Sequence, residues 1–220
     1  MKYRIIASGS KGNAVIIEDA ILIDCGVSYK SLKNHIKDLR IVLLTHIHGD
    51  HFKRSTVRRM ANERPALRFG CCEWLVKPLV ECGVSKGNVD VLTLNKTYKY
   101  SFCIVEAFQL YHDVPNCGYK VQINDKSMMY ATDTCRIDFS APNFDLYLIE
   151  ANYEDCEIEQ RIEKKIADDV DYIYELKARE NHLSLKKATD YIMANAGPAS
   201  EYKLMHVHEN LEVYDVRKSV

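Results

Sequence analysis

Residues 45–51 read Thr-His-Ile-His-Gly-Asp-His, and they follow directly on the apolar run 41–44, Ile-Val-Leu-Leu. A continuous apolar run of this length is typical of a buried strand. Alternate residues that leave a strand point the same way, so His46 and His48 can share one metal ion. The Asp-His pair at 50–51, beyond the turn at the glycine, can reach a second ion. Because chance rarely places this pattern directly after such a run, the stretch predicts two neighbouring metal sites.

The chain as a whole is small and has no excess of charge. Its 220 residues include 30 Lys and Arg against 31 Asp and Glu, which gives a formal net charge of -1. This length suits one buried core, so residues 1–220 are predicted to form a single domain. A near-neutral balance provides no overall basic field for a long polyanion. A local basic cluster, 53–59, follows the histidine-rich loop, and a solvated helix face explains that cluster equally well.

The sequence shows neither a membrane span nor a secretory signal. Its longest apolar runs, such as 14–17 and 41–44, are far shorter than the roughly 20 residues needed to cross a bilayer. Residues 1–7 run directly into a strand pattern and lack the apolar core of a secretory signal. We therefore expect no membrane association and a cytoplasmic protein, in the host cytoplasm if the chain is phage-encoded.

The cysteines do not form a recognisable metal or redox motif. None of them pairs as CxxC, which argues against a zinc ribbon and against a thioredoxin-type site. In a cytoplasmic protein they are predicted to be buried or partly buried free thiols, and a catalytic cysteine is not expected. The eight positions are Cys25, Cys71, Cys72, Cys82, Cys103, Cys117, Cys135 and Cys156.

Strand-like runs occur in two blocks, each followed by helical patterns. The predicted strands are 3–7, 14–18, 21–24 and 41–44, then 89–94, 98–110, 119–123, 127–131 and 146–149, and finally 202–207. The predicted helices are 28–35, one that ends near Glu63, 72–83, one or two within 158–176, and one from Ser184 to about Gly197. This order favours an α/β fold in which two mixed sheets pack face to face between outer helices, an αββα sandwich.

Three later motifs complete a recognisable order. His112 lies in His-Asp-Val-Pro-Asn-Cys-Gly-Tyr, Asp133 in Ala-Thr-Asp-Thr, and His206 in Leu-Met-His-Val-His. Together with the loop at 45–51, these motifs resemble the metallo-β-lactamase superfamily, in order and over nearly the whole chain. The resemblance implies the αββα sandwich and a site for metal ions at the strand ends.

Two divalent metal ions are implied by the same resemblance. The expected ligands are His46, His48 and His112 for the first ion, Asp50, His51 and His206 for the second, and Asp133 as a bridge. Five imidazoles and two carboxylates suit borderline cations better than calcium. Zinc is therefore expected, with manganese as the alternative.

Two further residues near these motifs have open roles. Asp24 fits a carboxylate that orients a metal-bound imidazole, and a turn-forming aspartate before Gly26 explains it equally well. His208 stands where the YycJ-like branch of the superfamily commonly has serine. We therefore interpret His208 as a surface residue rather than as a spare ligand.

His182 resembles the proton-donating histidine of nuclease-like members, tRNase Z included, and a capping or surface role is the alternative. Two cations can activate a water molecule and neutralise charge on a phosphate. Imidazole is a suitable acid near neutral pH. The predicted catalytic residues are therefore Asp50, Asp133 and His182. Hydrolysis of a lactam is a minor alternative, because the pattern of the two aspartates is closer to the phosphodiesterase members.

Segments of the chain resemble two branches of the superfamily that act on different substrates. Segments 8–13, Ser-Gly-Ser-Lys-Gly-Asn, and 22–26, Leu-Ile-Asp-Cys-Gly, resemble the YycJ-like branch. The first half of the chain and 149–153, Ile-Glu-Ala-Asn-Tyr, resemble both the YycJ-like 5′-exonucleases and the phage anti-Pycsar phosphodiesterases, which open cyclic mononucleotides.

The near-neutral charge favours the small nucleotide as substrate. We predict a dinuclear phosphodiesterase that hydrolyses cyclic mononucleotides to linear nucleoside monophosphates, in an anti-Pycsar-like immune evasion. A YycJ-like 5′-exonuclease of single-stranded DNA, or a tRNase Z-like nuclease, is the first alternative. A non-catalytic metal-binding module is the second. A homodimer is implied by the resemblance alone.

Overall fold

The structure, a computed structural model, describes residues 1–207. Within this range the chain forms two six-stranded mixed sheets. The first sheet contains, in spatial and chain order, β1 (Tyr3–Ala7), β2 (Ala14–Ile17), β3 (Ile21–Ile23), β4 (Ile41–Leu44), β5 (Arg68–Cys71) and β6 (Val89–Val91). Its first three strands pair antiparallel, and the pairs from β3 to β6 are parallel.

The second sheet repeats this order of pairing, with antiparallel pairs first along the chain and parallel pairs after them. Its strands are β7 (Thr97–Lys99), β8 (Ile104–Leu110), β9 (Asn116–Ile123), β10 (Lys126–Ala131), β11 (Leu146–Glu150) and β12 (Glu201–Met205). Strands β7 to β10 pair antiparallel, whereas β10, β11 and β12 are parallel neighbours. Consequently β8, β10, β11 and β12 all run in one direction, and their carboxyl ends meet at one edge of the sheet.

Six α-helices accompany the sheets within the described residues. They are α1 (Tyr29–Leu32), α2 (Arg54–Glu63), α3 (Val76–Glu81), α4 (Asp155–Ala167), α5 (Tyr174–Asn181) and α6 (Leu185–Asn195). Short 3-10 turns cover Glu73–Leu75 and Lys86–Asn88. None of these helices is long and apolar enough to span a bilayer.

The alternation of side chains along the strands explains the layers. In β4, Ile41 and Leu43 face the second sheet, where they join a core with Tyr119 and Tyr130. Val42 and Leu44, on the opposite face of β4, pack in the core that contains the apolar residues of α2 and α3. On the outer face of the second sheet, a further apolar core includes residues of α6. The layers are therefore helix, sheet, sheet and helix, which confirms the predicted fold class.

Most predicted elements are present with shifted ends, and the main differences between prediction and structure lie at three places. The predicted strand 98–110 is wrong as one element, because Tyr100 N donates to Cys103 O at 2.8 Å and the chain folds back between β7 and β8. Strand β5 was not predicted. The first helix, α1, is capped by Ser28 as predicted but ends at Leu32 rather than near residue 35.

The cysteines agree with the sequence interpretation except at one position. All eight are free thiols, and the first six along the chain are buried. Cys135 is partly buried, whereas Cys156 is exposed. Burial raises the pKa of Cys71 to about 12 and that of Cys103 to about 12, so these thiols stay protonated and unreactive near neutral pH.

Candidate metal centre

Three histidines from the two sheets form the first cluster. His46 and His48 lie on the loop after β4, and His112 follows β8 in the other sheet. Nδ1 of His48 lies 3.3 Å from Nε2 of His112. Nδ1 of His46 is 2.9 Å from Oγ1 of Thr45, which leaves the buried Nε2 of His46 without a hydrogen-bond partner. One nitrogen from each of the three rings lies within 4.8 Å of the others, close enough to converge on one ion.

His51 lies fully buried between two carboxylates. Its Nδ1 is 2.7 Å from Oδ2 of Asp24, and its Nε2 is 2.7 Å from Oδ2 of Asp133. Asp24 is itself fixed, because both the amide and the hydroxyl of Thr45 donate to Oδ1 of Asp24, at 2.9 and 3.0 Å. Asp24 therefore orients the imidazole and turns its Nε2 towards Asp133. The structure supports the orienting role of Asp24 that the sequence left open.

A buried glutamate joins two more histidines. Oε1 of Glu150, at the end of β11, lies 2.5 Å from Nδ1 of His182 and 3.0 Å from Nδ1 of His206. Oε2 of Glu150 accepts hydrogen bonds from the amides of Thr134 and Leu183, at 2.9 and 3.4 Å. The carboxylate therefore fixes both rings by their Nδ1 atoms and leaves Nε2 of each ring for other contacts.

Asp133 lies between the histidine groups. Its Oδ1 is 3.3 Å from Nδ1 of His206 and 3.5 Å from Nδ1 of His182, while its Oδ2 faces His51. With His46 and His51, Asp133 also forms a set whose ligand atoms lie within 4.8 Å of one another. Asp133 is thus the residue that contacts both sides of the centre.

Burial and charge set the protonation states of the cluster. Burial lowers the pKa of His46 well below its usual value, and the charge of His51 lowers it further. Burial also lowers the pKa of His112. Burial alone would raise the pKa of Asp133, but the charges of His51 and His206 outweigh it and hold the pKa well below its usual range. Neutral imidazoles and an ionised carboxylate are the forms that bind metal, and the shifts at His46, His112 and Asp133 favour them. At His51 burial alone would lower the pKa, but the charge of Asp133 raises it well above its usual value, so a metal ion bound there displaces a proton.

The pKa of His182 is shifted upward, in the opposite direction to that of His46. Burial alone would lower its pKa, but the carboxylate of Glu150 and then that of Asp133 raise it above the usual value. His182 therefore retains a proton more readily than an ordinary histidine.

Orphaned polar atoms test whether these residues fit metal ions. The buried Nε2 of His46, Nε2 of His206 and Oδ2 of Asp133 have no hydrogen-bond partner among the described residues. Oδ2 of Asp133 lies 2.7 Å from Nε2 of His51, yet the two groups do not meet the geometry of a hydrogen bond. Such buried atoms are costly when unsatisfied. Imidazole nitrogens and a carboxylate oxygen left in this way fit divalent ions such as zinc.

Left-handed backbone conformations recur at this centre. Asp24, Asp133 and His206 have φ angles of 58°, 56° and 52°. Each conformation is strained for a residue other than glycine and persists where the surroundings impose it. Nδ2 of Asn116 donates to the carbonyl of Asp133 at 2.7 Å, and the amide of His206 donates to Oγ of Ser8 at 2.7 Å. The fold thus imposes these turns at the residues that carry the predicted chemistry.

The two opening motifs hold the histidine-rich loop in place. The amide of Asn13 donates to Asp50 O at 2.6 Å, and that of Gly26 donates to Asn13 O at 2.9 Å. Nδ2 of Asn13 lies 2.8 Å from Nε2 of His51. At Gly26 a Cβ would stand 1.6 Å from Asp50 O, so no side chain fits there. The segments 8–13 and 22–26 therefore act as the backing of the metal loop.

The structure brings all the predicted site residues to one edge of the sandwich, where β4, β8, β10, β11 and β12 end. Asp50 lies somewhat apart, since its Oδ2 is 3.7 Å from Nε2 of His51 and it belongs to none of the compact ligand sets among the described residues. It does line the cavity at the centre. The predicted ligand set stays a prediction, and His208 lies outside the described residues.

Glu150 is a site residue that sequence reasoning missed, and Asp113, which lies 3.4 Å from Nε2 of His48 and 3.2 Å from Nε2 of His112, is another. Glu150 lies within the motif 149–153, for which the sequence predicts no individual role. One sequence feature could have identified Glu150. It is an acidic residue directly after the apolar run 146–149 of a buried strand, where an unpaired charge is not tolerated. That position calls for a partner such as His182 or His206.

Comparison with known proteins identifies the family. Residues 19–207 match the beta-lactamase superfamily domain, which is most of the chain. The chain belongs to the metallo-β-lactamase superfamily. Exodeoxyribonuclease WalJ from two Streptococcus pneumoniae strains is 30% identical to it over 175 residues, covering 70% of this chain. The chain covers 63% of the length of these curated relatives.

Two solved structures have a similar fold. The metallo-beta-lactamase fold protein YhfI from Bacillus subtilis aligns with a TM-score of 0.73 and 17% identity, over 98% of this chain and 90% of YhfI. The short form of human tRNase Z aligns with a TM-score of 0.71 and 15% identity, over 94% of this chain and 92% of that protein. At such identities the likeness shows the fold alone.

Proposed function

We propose that the chain is a dinuclear metal-dependent phosphodiesterase that hydrolyses 3′,5′-cyclic mononucleotides to linear monophosphates. The observation that carries this proposal is the position of Asp133, buried within reach of His51 on one side and of His182 and His206 on the other. An ionised carboxylate in this place suits two adjacent cations of a dimetal site.

The residues around Asp133 divide the tasks of such a reaction. Bound divalent ions would activate a water molecule and neutralise the charge of the phosphate. His182 lines the same cavity, is fixed through Nδ1 by Glu150, and keeps Nε2 for a proton transfer to the leaving oxygen. In a cyclic mononucleotide that oxygen is the 3′ oxygen of the ribose.

The space at the centre suits a small substrate. A cavity of about 180 Å³ lies against His48, His112 and Asp133. The basic cluster next to the metal loop is partly neutralised, because Arg54 pairs with Glu81 and Arg59 pairs with Glu63. A groove for a long strand would need repeated cationic contacts, which this helix supplies poorly. The predicted biological role is an anti-Pycsar-like removal of a cyclic nucleotide signal.

Activity of the metal-loaded protein on a substrate panel tests the proposal. The panel contains 3′,5′-cyclic mononucleotides, single-stranded DNA, RNA and a lactam. We expect a linear monophosphate as the product, with rates that depend weakly on salt, because a cyclic phosphate carries one negative charge. Absence of cyclic nucleotide hydrolysis by protein that contains both metals would refute the proposal.

A second candidate is a 5′-exonuclease of single-stranded DNA. It is favoured by the 30% identity with an exodeoxyribonuclease. Binding of a strand through several phosphates releases counterions, so its affinity should fall steeply as salt rises. Salt-sensitive digestion of DNA from the 5′ end, with cyclic nucleotides left intact, would support this candidate over the first. Metal binding without hydrolysis of any substrate would instead support the non-catalytic module.

A further inference from the structure

A second cavity adjoins the one at the metal centre. It has a volume of about 460 Å³, against about 180 Å³ for the cavity that contains Asp133. Ser10, Tyr174 and His206 line both cavities, so the two spaces meet at these side chains. A volume of this order is within the usual range for small-molecule sites. We call the two spaces the metal-side cavity and the side cavity.

The walls of the side cavity combine hydrogen-bonding groups with the phenol ring of a tyrosine. Ser8, Gly9, Ser10 and Lys11 form one wall, and Asn152, Tyr174 and Val207 line the rest together with His206. The turn at 8–13 is held rigidly, because Gly9 N donates to Oδ1 of Asn13 at 2.9 Å and Asn13 N donates to the carbonyl of Asp50. This wall is therefore fixed relative to the metal loop.

Tyr174 stands at the boundary between the two spaces. It is the first residue of α5, the helix that leads directly to His182. Its side chain is 48% exposed although it is large and aromatic, and it lines both cavities. An exposed aromatic face beside a phosphate site is the usual platform for stacking a nucleobase.

Lys177 lies one helical turn further along α5. It lines the metal-side cavity together with the carboxylates of Asp50, Asp113 and Asp133. Among residues 1–207 it is the one lysine or arginine that lines this cavity. Its Nζ lies 5.6 Å from the centroid of the Tyr172 ring, and as a cation at the edge of this acidic cavity it suits a phosphate ligand.

We propose that the side cavity is a nucleoside subsite, in which the base packs on Tyr174 while the phosphate lies in the metal-side cavity against Lys177. The subsite deepens the proposed phosphodiesterase function, and it rests on that function for the position of the phosphate. The ligand class is a single nucleotide, whose base and ribose occupy the larger space. Tyr174 then determines specificity for a nucleotide over a simple phosphate ester, whereas Lys177 contributes to any phosphate ligand.

Equilibrium binding to the metal-loaded protein separates these two roles. Adenosine 5′-monophosphate and methyl phosphate have the same phosphate group and differ in the nucleoside. We expect calorimetry to show that the wild-type protein binds the nucleotide at least about tenfold more tightly, in line with base stacking on an aromatic ring. Tyr174→Ala should remove about tenfold of this preference, whereas Tyr174→Phe should keep it. Lys177→Ala should weaken both ligands by a similar factor.

Two control variants remove a large apolar side chain and a lysine from exposed helix positions away from both cavities. Met193→Ala deletes a side chain that is 65% exposed on α6, and Lys164→Ala deletes an exposed lysine on α4, and both should bind as the wild type does. Equal wild-type affinities for the two ligands, or a preference that Tyr174→Ala leaves unchanged, would overturn the subsite.

A pair of chromogenic diesters distinguishes failure of the subsite from failure of the proposed function. Thymidine 5′-(4-nitrophenyl phosphate) and methyl 4-nitrophenyl phosphate release the same nitrophenol. If both are hydrolysed but the binding preference is absent, the subsite is wrong and the phosphodiesterase function holds. If neither diester nor any 3′,5′-cyclic mononucleotide is hydrolysed while the nucleotide is still preferred through Tyr174, the function is wrong and the subsite holds.

Discussion

Nδ1 of His51 and Oδ2 of Asp24 lie 2.7 Å apart, and both side chains are completely buried. The contact joins the strand end after β3 to the metal loop after β4, two strands that are parallel neighbours in the first sheet. Asp24 has no exposure through which water could replace this partner. The carboxylate therefore determines how the imidazole of His51 faces the rest of the centre.

Asp24→Asn is expected to weaken metal binding. The amide keeps the size of the side chain and one acceptor oxygen for Thr45, but it removes the charge that orients His51. Loss of such a supporting partner typically costs about 10- to 100-fold in metal affinity. Competition titration with a chromophoric chelator measures the change. Asp168→Asn, at an exposed position at the end of α4, is the control, and equal affinities for both variants would contradict the orienting role.

Asp133→Ala should nearly abolish turnover and reduce metal content. The wild-type chain is expected to bind two divalent ions, zinc or manganese. Among the described residues, Asp133 is the one carboxylate that lies within 3.5 Å of His51 and also of His182 and His206. Elemental analysis after reconstitution gives the stoichiometry. Less than one ion per wild-type chain would contradict the dimetal centre. Full occupancy and turnover in Asp133→Ala would contradict the bridging position of this residue.

His182→Ala is expected to produce a different defect. The substitution removes the proposed proton donor but none of the expected metal ligands, so metals should stay bound while kcat falls by roughly a hundredfold or more. Single-turnover kinetics with elemental analysis of the same sample separates the two effects. Loss of metal from His182→Ala would show that the ring is a ligand rather than an acid.

Glu150→Gln tests whether the carboxylate of Glu150 positions the imidazole of His182. The amide cannot accept hydrogen bonds at one oxygen from both His182 and His206 while it serves the amides of Thr134 and Leu183. We expect a fall in kcat of about 10- to 100-fold, and weaker metal binding through His206. Glu175→Gln, on the neighbouring helix, is the control, since Glu175 pairs with Lys165 away from the centre. A wild-type pH profile and rate in Glu150→Gln would contradict this role.

Sequence reasoning predicted the parts of the centre that follow a local rule. His46 and His48 share a direction because alternate residues do so at a strand end, and the buried run 41–44 identified that strand. Convergence of the remaining ligands, such as His112 and Asp133, depends on sheet order, which a local pattern does not contain. The family resemblance predicted that these ligands converge, and the common direction of β8, β10, β11 and β12 explains why they do.

The errors arose where local signals were weak or absent. Strand β5 reads Arg-Phe-Gly-Cys, and Gly70 lowers its strand propensity; a Cβ there would lie 2.8 Å from Cδ2 of Leu43, so close packing requires the glycine. The turn between β7 and β8 contains no Gly, Pro, Asn or Asp within 100–103, and Ser101 is a weaker turn former, so the signal for two strands was weak. Glu150 was overlooked because a lone acidic residue has many explanations until its buried partners are known.

Gly26→Ala should destabilise the fold at the metal loop. A methyl group there would stand 1.6 Å from Asp50 O and 2.7 Å from the amide nitrogen of His51, and neither backbone atom can move without breaking the contacts of the loop. Overpacking of this kind costs about 3 kcal/mol or more in the free energy of unfolding. Gly49→Ala is a matched control in the same loop, because its Cβ would meet nothing within 4 Å and its φ is not positive. Its expected effect is within about 0.5 kcal/mol. Urea unfolding of the metal-free proteins measures both values, and equal stabilities of the two variants would show that Asp50 is not held against Gly26.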